Sequence, residues 1–162
     1  GSALLQESVF GLFRRSDMDI SYYIDKTEQL MRRQDALYHG AAAKFGLSDA
    51  AMWVLYFLSG SGGGVTQQEL CRQSCFAKQT VNSAVKSLSD GGIVKLCPIA
   101  GTKNQKNVVL TDNGQRFCAD TIGRLREAEK RAYSCVGEKE LDAYLETLAK
   151  LTSCIAAETE KL

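Results

Sequence analysis

Residues 66–92 predict two short helices joined by a tight turn, and this pattern constrains the fold more than any other feature of the chain. Thr66 and Glu69 stand three residues apart, the spacing of a helix-capping box, and the first helix is expected to end near Ser74. The second helix is expected from about Ala77 to Ser89, where two glycines follow and end it. A short helix, a turn and a longer helix form a helix-turn-helix arrangement.

A predicted β-hairpin with a basic tip follows this pair of helices. Two extended runs, Ile93 to Cys97 and Asn107 to Leu110, are joined by a polar connection. Between Thr66 and Lys106 there are six basic and two acidic residues, so this segment carries +4, whereas the rest carries −3 in a chain of net charge +1. Positive charge therefore concentrates on the helix-turn-helix and the hairpin, where it would attract a polyanion.

The outward face of the second helix carries side chains suited to reading DNA. Its inward positions are apolar, and the opposite positions are polar: Lys78, Gln79, Asn82, Ser83 and Lys86. Asn and Gln pair with adenine, Ser bonds to bases or phosphate, and Lys supplies phosphate or guanine contacts. The alternative is an ordinary surface helix, because any exposed helix face is polar. The neighbouring basic hairpin favours DNA binding.

Helical periodicity in the remaining sequence, with Pro98 as the single proline in 162 residues, predicts a mainly α fold. An amphipathic helix is expected from about Ile20 to Lys44, and a second, shorter helix begins after the N-cap Ser48. Two apolar stripes at helical spacing follow the hairpin, at residues 117–128 and 141–155. These stripes are expected to pack outside the unit formed by the helix-turn-helix and the hairpin, against the first helix and a second copy of the chain.

In the order and spacing of these pieces the chain resembles the MarR family of bacterial transcriptional regulators, from about Ile20 to Ile155. The matching segments are Thr66–Leu70, Lys78–Val81, Leu88–Val94 and Leu110–Gly114, and Thr111 would cap the next helix. The family usually carries an Asp and Arg pair in the hairpin, where this chain has lysines. Cys71 stands where a small alanine is usual.

The resemblance implies a single domain over residues 1–162. Residues 48–111 would form a winged helix-turn-helix with a small β-hairpin wing, and residues 3–45 and 112–162 would supply N- and C-terminal dimerisation helices. A homodimer would hold two recognition helices about 34 Å apart and prefer a pseudo-palindromic operator in double-stranded DNA. The expected DNA-binding residues are Thr66, Gln67, Lys78, Gln79, Thr80, Asn82, Ser83, Lys86, Lys103 and Lys106. The role of residues 3–15 is open, one alternative being a short helix exchanged across the dimer.

The resemblance also implies regulation of DNA binding. In the family, a small molecule or an oxidant acts near the junction of the dimerisation helices and the winged module and lowers DNA affinity, so a repressor of this kind is expected. The effector contacts, for an aromatic or phenolic ligand, would be Tyr38, His39, Met52, Trp53 and Tyr56. Each of these residues has a purely structural alternative in the core. A thiol-based switch would use Cys75, at the turn of the helix-turn-helix.

Other classes of function have weaker support. An enzyme is not expected, because a catalytic cysteine would need the lone histidine, His39, and no motif places a cysteine beside it. No cofactor or metal is expected, and the six cysteines are interpreted as reduced, mostly buried thiols. No apolar run reaches membrane-spanning length, so a cytoplasmic location is expected. A winged-helix module that binds only protein is the alternative to a DNA-binding regulator.

Overall fold

Seven helices and a three-stranded sheet make up residues 19–162, the part of the chain that the computed structural model describes; residues 3–15 lie outside it. The helices are α1 (Ile20–Lys44), α2 (Asp49–Gly60), α3 (Gln67–Ser74), α4 (Lys78–Asp90), α5 (Asp112–Cys118), α6 (Arg124–Tyr133) and α7 (Glu138–Thr159). The strands are β1 (Val65–Thr66), β2 (Val94–Pro98) and β3 (Lys106–Leu110), and a π-helical turn, Ala119–Gly123, joins α5 to α6. The chain divides between Asp49 and Ala50 into two compact units.

The first unit contains α1, whose two ends are closed by local hydrogen bonds. At its start the Asp19 side chain accepts a hydrogen bond from the Tyr22 N–H at 3.3 Å. At its end Gly46 adopts a left-handed φ of 69°. The N–H groups of Gly46 and Leu47 then bond back to carbonyls of the last helical turn at 3.1 and 3.0 Å. The predicted limits of this helix are therefore confirmed.

The helix-turn-helix lies in the second unit and follows the predicted pattern closely. The Thr66 hydroxyl accepts from the Glu69 N–H at 3.1 Å, so the N-cap is formed. Cys75, after the end of α3, turns the chain with a left-handed φ of 56°. Helix α4 starts one residue later than predicted and ends before Gly92, which has a φ of 69°. The predicted winged helix-turn-helix, in a mainly α fold, is confirmed.

The wing is part of a sheet with the order β1-β3-β2, in which both pairings are antiparallel. Strands β2 and β3 pair from Val94 opposite Leu110 to Pro98 opposite Lys106. The hairpin connection is thus shorter than predicted, because its first and last residues belong to the ladder. Strand β1 has two residues and was not predicted. Gly64 lies close against β3, because a Cβ atom at this position would be only 2.8 Å from Asn107 Cβ. Glycine has no Cβ and therefore avoids this clash.

Residues that precede the wing in sequence and residues that follow it both contribute to the hydrophobic core. Its largest fully buried side chains include Met52, Leu55, Leu70, Val81, Val108 and Ile122. The expectation that residues 117–128 pack outside the winged module is corrected for the first part of this stripe, since Cys118, Thr121 and Ile122 are buried. The physical reason is that α2 is apolar on most of its surface. The helix-turn-helix alone cannot bury all of these side chains, so residues after the wing also enter the core. Dimerisation by residues 112–162 stays a prediction.

The six cysteines are all free, but most are not buried as expected. Only Cys118 is buried, Cys71 and Cys97 are partly buried, and Cys75, Cys135 and Cys154 are exposed. Cys135 follows the end of α6, and Cys154 lies on α7, which has no buried residue, so neither reaches the core. Among the described helices, none combines the length and the apolar character that crossing a membrane requires.

Candidate nucleic-acid interface

The outward face of α4 is fully available to solvent. The buried residues of this helix are Val81, Ala84, Val85 and Leu88. The predicted recognition residues on α4 are all exposed: Lys78, Gln79, Thr80, Asn82, Ser83 and Lys86. Side chains three and four residues apart share a helix face, so the apolar row on one side leaves amide, hydroxyl and ammonium groups together on the other. The structure therefore brings these six residues onto one accessible helix.

Two other predicted residues, Thr66 and Gln67, support α3. The Thr66 hydroxyl oxygen accepts the N-cap hydrogen bond of α3, and both side chains are partly buried. Thr66 and Gln67 thus define where α3 begins. Contact of either residue with DNA stays a prediction. Phosphate contacts from a helix start of this kind would use backbone N–H groups beside the side chains.

Two local ion pairs form at the surface around α3 and α4. Arg72 donates to both carboxylate oxygens of Glu69, at 2.8 and 2.6 Å, and these hydrogen bonds hold the pKa of Glu69 below its usual value. Lys86 pairs with Asp90 at 2.6 Å. The segment's two acidic residues are thus matched by two bases. The remaining +4 resides on four lysines that form no ion pair within the described chain: Lys78, Lys95, Lys103 and Lys106.

The lysines of the wing do not lie on one side of it. Lys103 is in the exposed tip, which a turn closes through hydrogen bonds from the Thr102 N–H and hydroxyl to the Ile99 carbonyl, at 3.2 and 2.8 Å. Lys106 is in β3, opposite Pro98, and not in the tip as predicted. Because alternate residues of a strand point to opposite faces, Lys106 shares the face of Val108, whereas Lys95, opposite Val109, lies on the other face. The wing therefore presents positive charge on both faces.

A polar network that links α2 to α6 was not predicted. The Tyr56 hydroxyl donates to Glu129 Oε2 at 2.8 Å, and the Arg126 guanidinium lies 4.1 Å from the centre of the Tyr56 ring. Arg126 Nη2 also donates to the Tyr56 carbonyl oxygen at 2.7 Å. Burial, together with the hydrogen bond to Glu129, raises the pKa of Tyr56. These partners are 70 and 73 residues apart in sequence, so no local pattern could reveal them.

The predicted effector residues fall on α1 and α2, which belong mainly to different units. On α1, Tyr38 is partly buried and His39 is exposed, with its Nδ1 atom 2.9 Å from Asp49 Oδ1. On α2, Met52 is buried, and Trp53 packs edge-to-face with Tyr56 at 5.2 Å between ring centres. An effector site formed by these five residues stays a prediction.

Cys75, the predicted thiol switch, is exposed at the turn between α3 and α4. Its Sγ atom lies 3.8 Å from the Arg72 carbonyl oxygen. In the described part of the chain, no group of three or more His, Cys, Asp or Glu residues is arranged to hold a metal ion. Oxidation of Cys75 stays a prediction.

Comparison with known proteins agrees with the fold described above. A MarR family model matches residues 45–103. A MarR family regulator from Neisseria meningitidis is 21% identical, with 85% of this chain and 98% of that chain covered and a TM-score of 0.70. A MarR family transcriptional regulator from Silicibacter pomeroyi is 24% identical, with 83% and 90% covered and a TM-score of 0.65.

A third similar structure is that of MepR from S. aureus in complex with DNA. It is 18% identical, with 86% of this chain and 99% of that chain covered and a TM-score of 0.64. No curated protein matches the chain. At these identities the solved structures show a shared fold. The family model over residues 45–103 agrees with the resemblance to the MarR family that the sequence indicated.

Proposed function

We propose that the protein is a homodimeric repressor that binds a pseudo-palindromic operator in double-stranded DNA and releases it when a small aromatic or phenolic effector binds. The observation that carries the proposal is the outward face of α4, where six exposed polar side chains lie above a buried apolar row. This helix belongs to the segment whose net charge is +4. A helix of this composition matches the width and the hydrogen-bonding groups of the major groove.

Gln79 and Asn82 are assigned to base edges, and the lysines to phosphate. An amide side chain offers a donor and an acceptor together, as adenine requires, whereas an ammonium group is a point charge without base preference. Lys103 at the wing tip and the lysines on the two wing faces would contact phosphates on both sides of a groove. The DNA complex of MepR, which has the same fold, supports a DNA-binding role for this chain.

Homodimerisation is supported by apolar side chains that the chain leaves in solvent. On α1 they include Ile24, Leu30 and Leu37, which are 58, 64 and 69% exposed. On α7 every residue is at least partly exposed, and the apolar row is Leu141, Tyr144, Leu145, Leu148, Leu151 and Ile155. Rows of this length are uncommon on monomers and are typical of subunit interfaces.

The effector part of the proposal is supported by the aromatic side chains of α2. Trp53 stacks on Phe57 at 6.0 Å and contacts Tyr56, so three aromatic rings lie together on one helix. Clusters of this kind suit planar apolar ligands. Release of DNA would then follow from tighter ligand binding to a conformation whose recognition helices do not fit the operator.

We expect Gln79→Ala to reduce sequence discrimination. Loss of a bidentate amide contact should cost about 1–3 kcal/mol on the preferred operator and little on unrelated DNA, because only the base contact is removed. Fluorescence anisotropy with labelled DNA from upstream of the protein's own gene, and with a scrambled duplex of equal length, measures both affinities. An equal loss on the two duplexes would contradict base recognition by Gln79.

The ion pair between Lys86 and Asp90 is exposed and therefore weak, so Lys86 can exchange it for a DNA phosphate. Lys86→Ala should then weaken binding to all duplexes alike and lower the slope of log affinity against log salt by about one unit, since one phosphate contact is lost. Lys139→Ala, which removes a lysine from the exposed surface of α7, is the matched control and should leave the slope unchanged. If the wild-type protein binds no DNA at any salt concentration, the DNA-binding proposal is wrong and a protein-binding winged helix takes its place.

A further inference from the structure

Gln79 and Asn82 lie next to each other on the outward face of α4. Residues three apart on a helix are neighbours on its surface, and their positions differ by about 4.5 Å along the helix axis. Both side chains are exposed, and neither forms a hydrogen bond within the described part of the chain. Every donor and acceptor of the two amides is therefore available to a ligand.

Other exposed polar side chains of the helix-turn-helix already have partners. Gln73, on α3, donates from its Nε2 atom to Glu69 Oε1 at 2.6 Å, and Arg72 donates to the same carboxylate. On α4 itself, Lys86 pairs with Asp90 at 2.6 Å. The absence of an internal partner thus distinguishes the two amides of α4 from these neighbours.

The composition of α4 favours contact with adenine over contact with guanine. Arginine, the side chain that most often reads guanine, is absent from this helix, whose sequence is KQTVNSAVKSLSD. Lys78 stands three residues before the buried Val81, so it lies at the edge of the outward face. A lysine ammonium is a point charge, whereas an amide holds a donor and an acceptor side by side. The amides therefore provide the most specific base contacts that this face can make.

The two amides also occupy the end of α4 that a recognition helix directs towards the bases. They are the second and fifth residues of this 13-residue helix. Its N-cap, Ala77, makes no side-chain hydrogen bond, whereas threonine hydroxyls cap α3 and α5. The first N–H groups of α4 thus have no side-chain acceptor, and this end of the helix favours approach to a phosphate. A helix held by this end presents Gln79 and Asn82 to the base edges.

We propose that Gln79 and Asn82 read two neighbouring A·T base pairs in each half-site, each amide forming two hydrogen bonds with the N6 and N7 atoms of one adenine. In the major groove adenine presents an N7 acceptor beside an N6 donor, which an amide matches with its own donor and acceptor. Base pairs stack about 3.4 Å apart, close to the axial separation of the two residues, so both amides reach adjacent pairs. The inference rests on the proposed DNA-binding function and adds the base sequence that α4 selects.

The test begins with the selection of duplexes by the full chain from a pool with a random central region. The enriched half-sites should carry two adjacent A·T pairs. Gln79→Ala should lose the preference at one of these pairs and Asn82→Ala at the other, because each variant removes one amide. Gln29→Ala is the matched control, since Gln29 is an exposed glutamine on α1 whose amide oxygen accepts from Lys26 Nζ at 3.2 Å. It should select the same sequence as the wild type.

Replacement of single adenines by 7-deazaadenine in the enriched duplex then assigns each amide to its base. The analogue keeps the N6 amino group and lacks the N7 acceptor, so anisotropy should show about fivefold weaker binding at each of the two positions, the effect of one hydrogen bond. In Gln79→Ala the analogue should have no further effect at the base that Gln79 reads, and it should still weaken binding at the neighbouring base. Asn82→Ala should show the converse pattern.

Three results would overturn the inference: enriched half-sites without adjacent A·T pairs, selection of the wild-type sequence by both alanine variants, or an effect of 7-deazaadenine that is absent or equal in the wild type and both variants. A wild-type protein that enriches no sequence overturns the proposed function as well, whereas enrichment of a different motif overturns this inference alone. Both residues are exposed, so alanine leaves the buried row of α4 unchanged, and circular dichroism should show the wild-type helix content in each variant.

Discussion

Replacement of Gly114 by alanine is expected to lower the free energy of unfolding by about 3 kcal/mol, near the upper end for overpacked sites. Gly114 is buried in the first turn of α5, where its N–H donates to the Thr111 hydroxyl at 3.0 Å. A Cβ at this position would overlap the Ile93 carbonyl oxygen and come within 3.3 Å of Leu110 Cδ2. The obstacle is backbone, which cannot rotate away as a side chain does.

The Ile93 carbonyl is also held in place by other bonds. It accepts from the Thr111 N–H at 3.1 Å, and the Thr111 hydroxyl donates to the neighbouring Gly92 carbonyl at 2.6 Å. Relief of the overlap would therefore disturb the junction between the end of α4, the start of β2 and the start of α5. Alanine has a higher helix propensity than glycine, which stabilises a helix by about 1 kcal/mol at most. The steric overlap of the added methyl group destabilises the fold by more than this gain.

Two other glycines supply the controls. A methyl group added to Gly40, within α1, would meet no neighbouring atom within 4 Å, so Gly40→Ala should raise stability by up to about 1 kcal/mol. At Gly123 a Cβ would lie 3.4 Å from the Cys118 carbonyl oxygen. The change in unfolding free energy for Gly123→Ala should therefore fall between those for Gly114→Ala and Gly40→Ala. Urea denaturation followed by circular dichroism, at one protein concentration, ranks the three variants. A Gly114→Ala variant as stable as Gly40→Ala would show that the junction adapts to the added methyl group.

The parts of the fold that were predicted from sequence are those that local chemistry determines. Thr66 and Thr111 cap helices because a hydroxyl three residues before a free N–H reaches it, and Gly46 ends α1 because it adopts a left-handed φ. Strand β1 was missed because its two residues have no periodicity of their own, and its pairing with β3 comes from residues about 40 positions away. The π turn was missed because side-chain spacing does not distinguish one wide turn from an α-helix.

The candidate site also combines features that local sequence determines with features that depend on distant contacts. The polar face of α4 follows from helical spacing, and its exposure agrees with the prediction. The contact between Arg126 and Tyr56 joins residues 70 apart, and it depends on how α6 lies against α2. The placement of Lys106 in β3 depends on hairpin register, which one residue of slip would reverse. Sequence thus predicted which polar residues are exposed on α4, and tertiary packing decided which distant residues meet.

Introduction of a charge into the apolar row of α7 should abolish the dimer and with it tight operator binding. In Leu148→Asp a carboxylate replaces an apolar side chain at the middle of the row formed by Leu145, Leu148 and Leu151. Burying that unpaired charge across an interface costs more than the lost contact, so the protomers should separate. Binding to a two-half-site operator should then weaken by about 100-fold or more, because the second half-site is no longer bound within the same complex.

Lys150→Asp is the matched control, since it lies two residues further along the same exposed helix, outside the row, and changes net charge by more. It should remain a dimer and bind the operator within about twofold of the wild type, apart from a small long-range charge effect. Light scattering gives the mass, which should be twice 17.7 kDa for the wild type and 17.7 kDa for Leu148→Asp. On a single half-site, Leu148→Asp and the wild type should bind alike, because the α4 face is intact in both. A wild-type monomer at micromolar concentration would contradict the dimer, and a dimeric Leu148→Asp would place the interface away from α7.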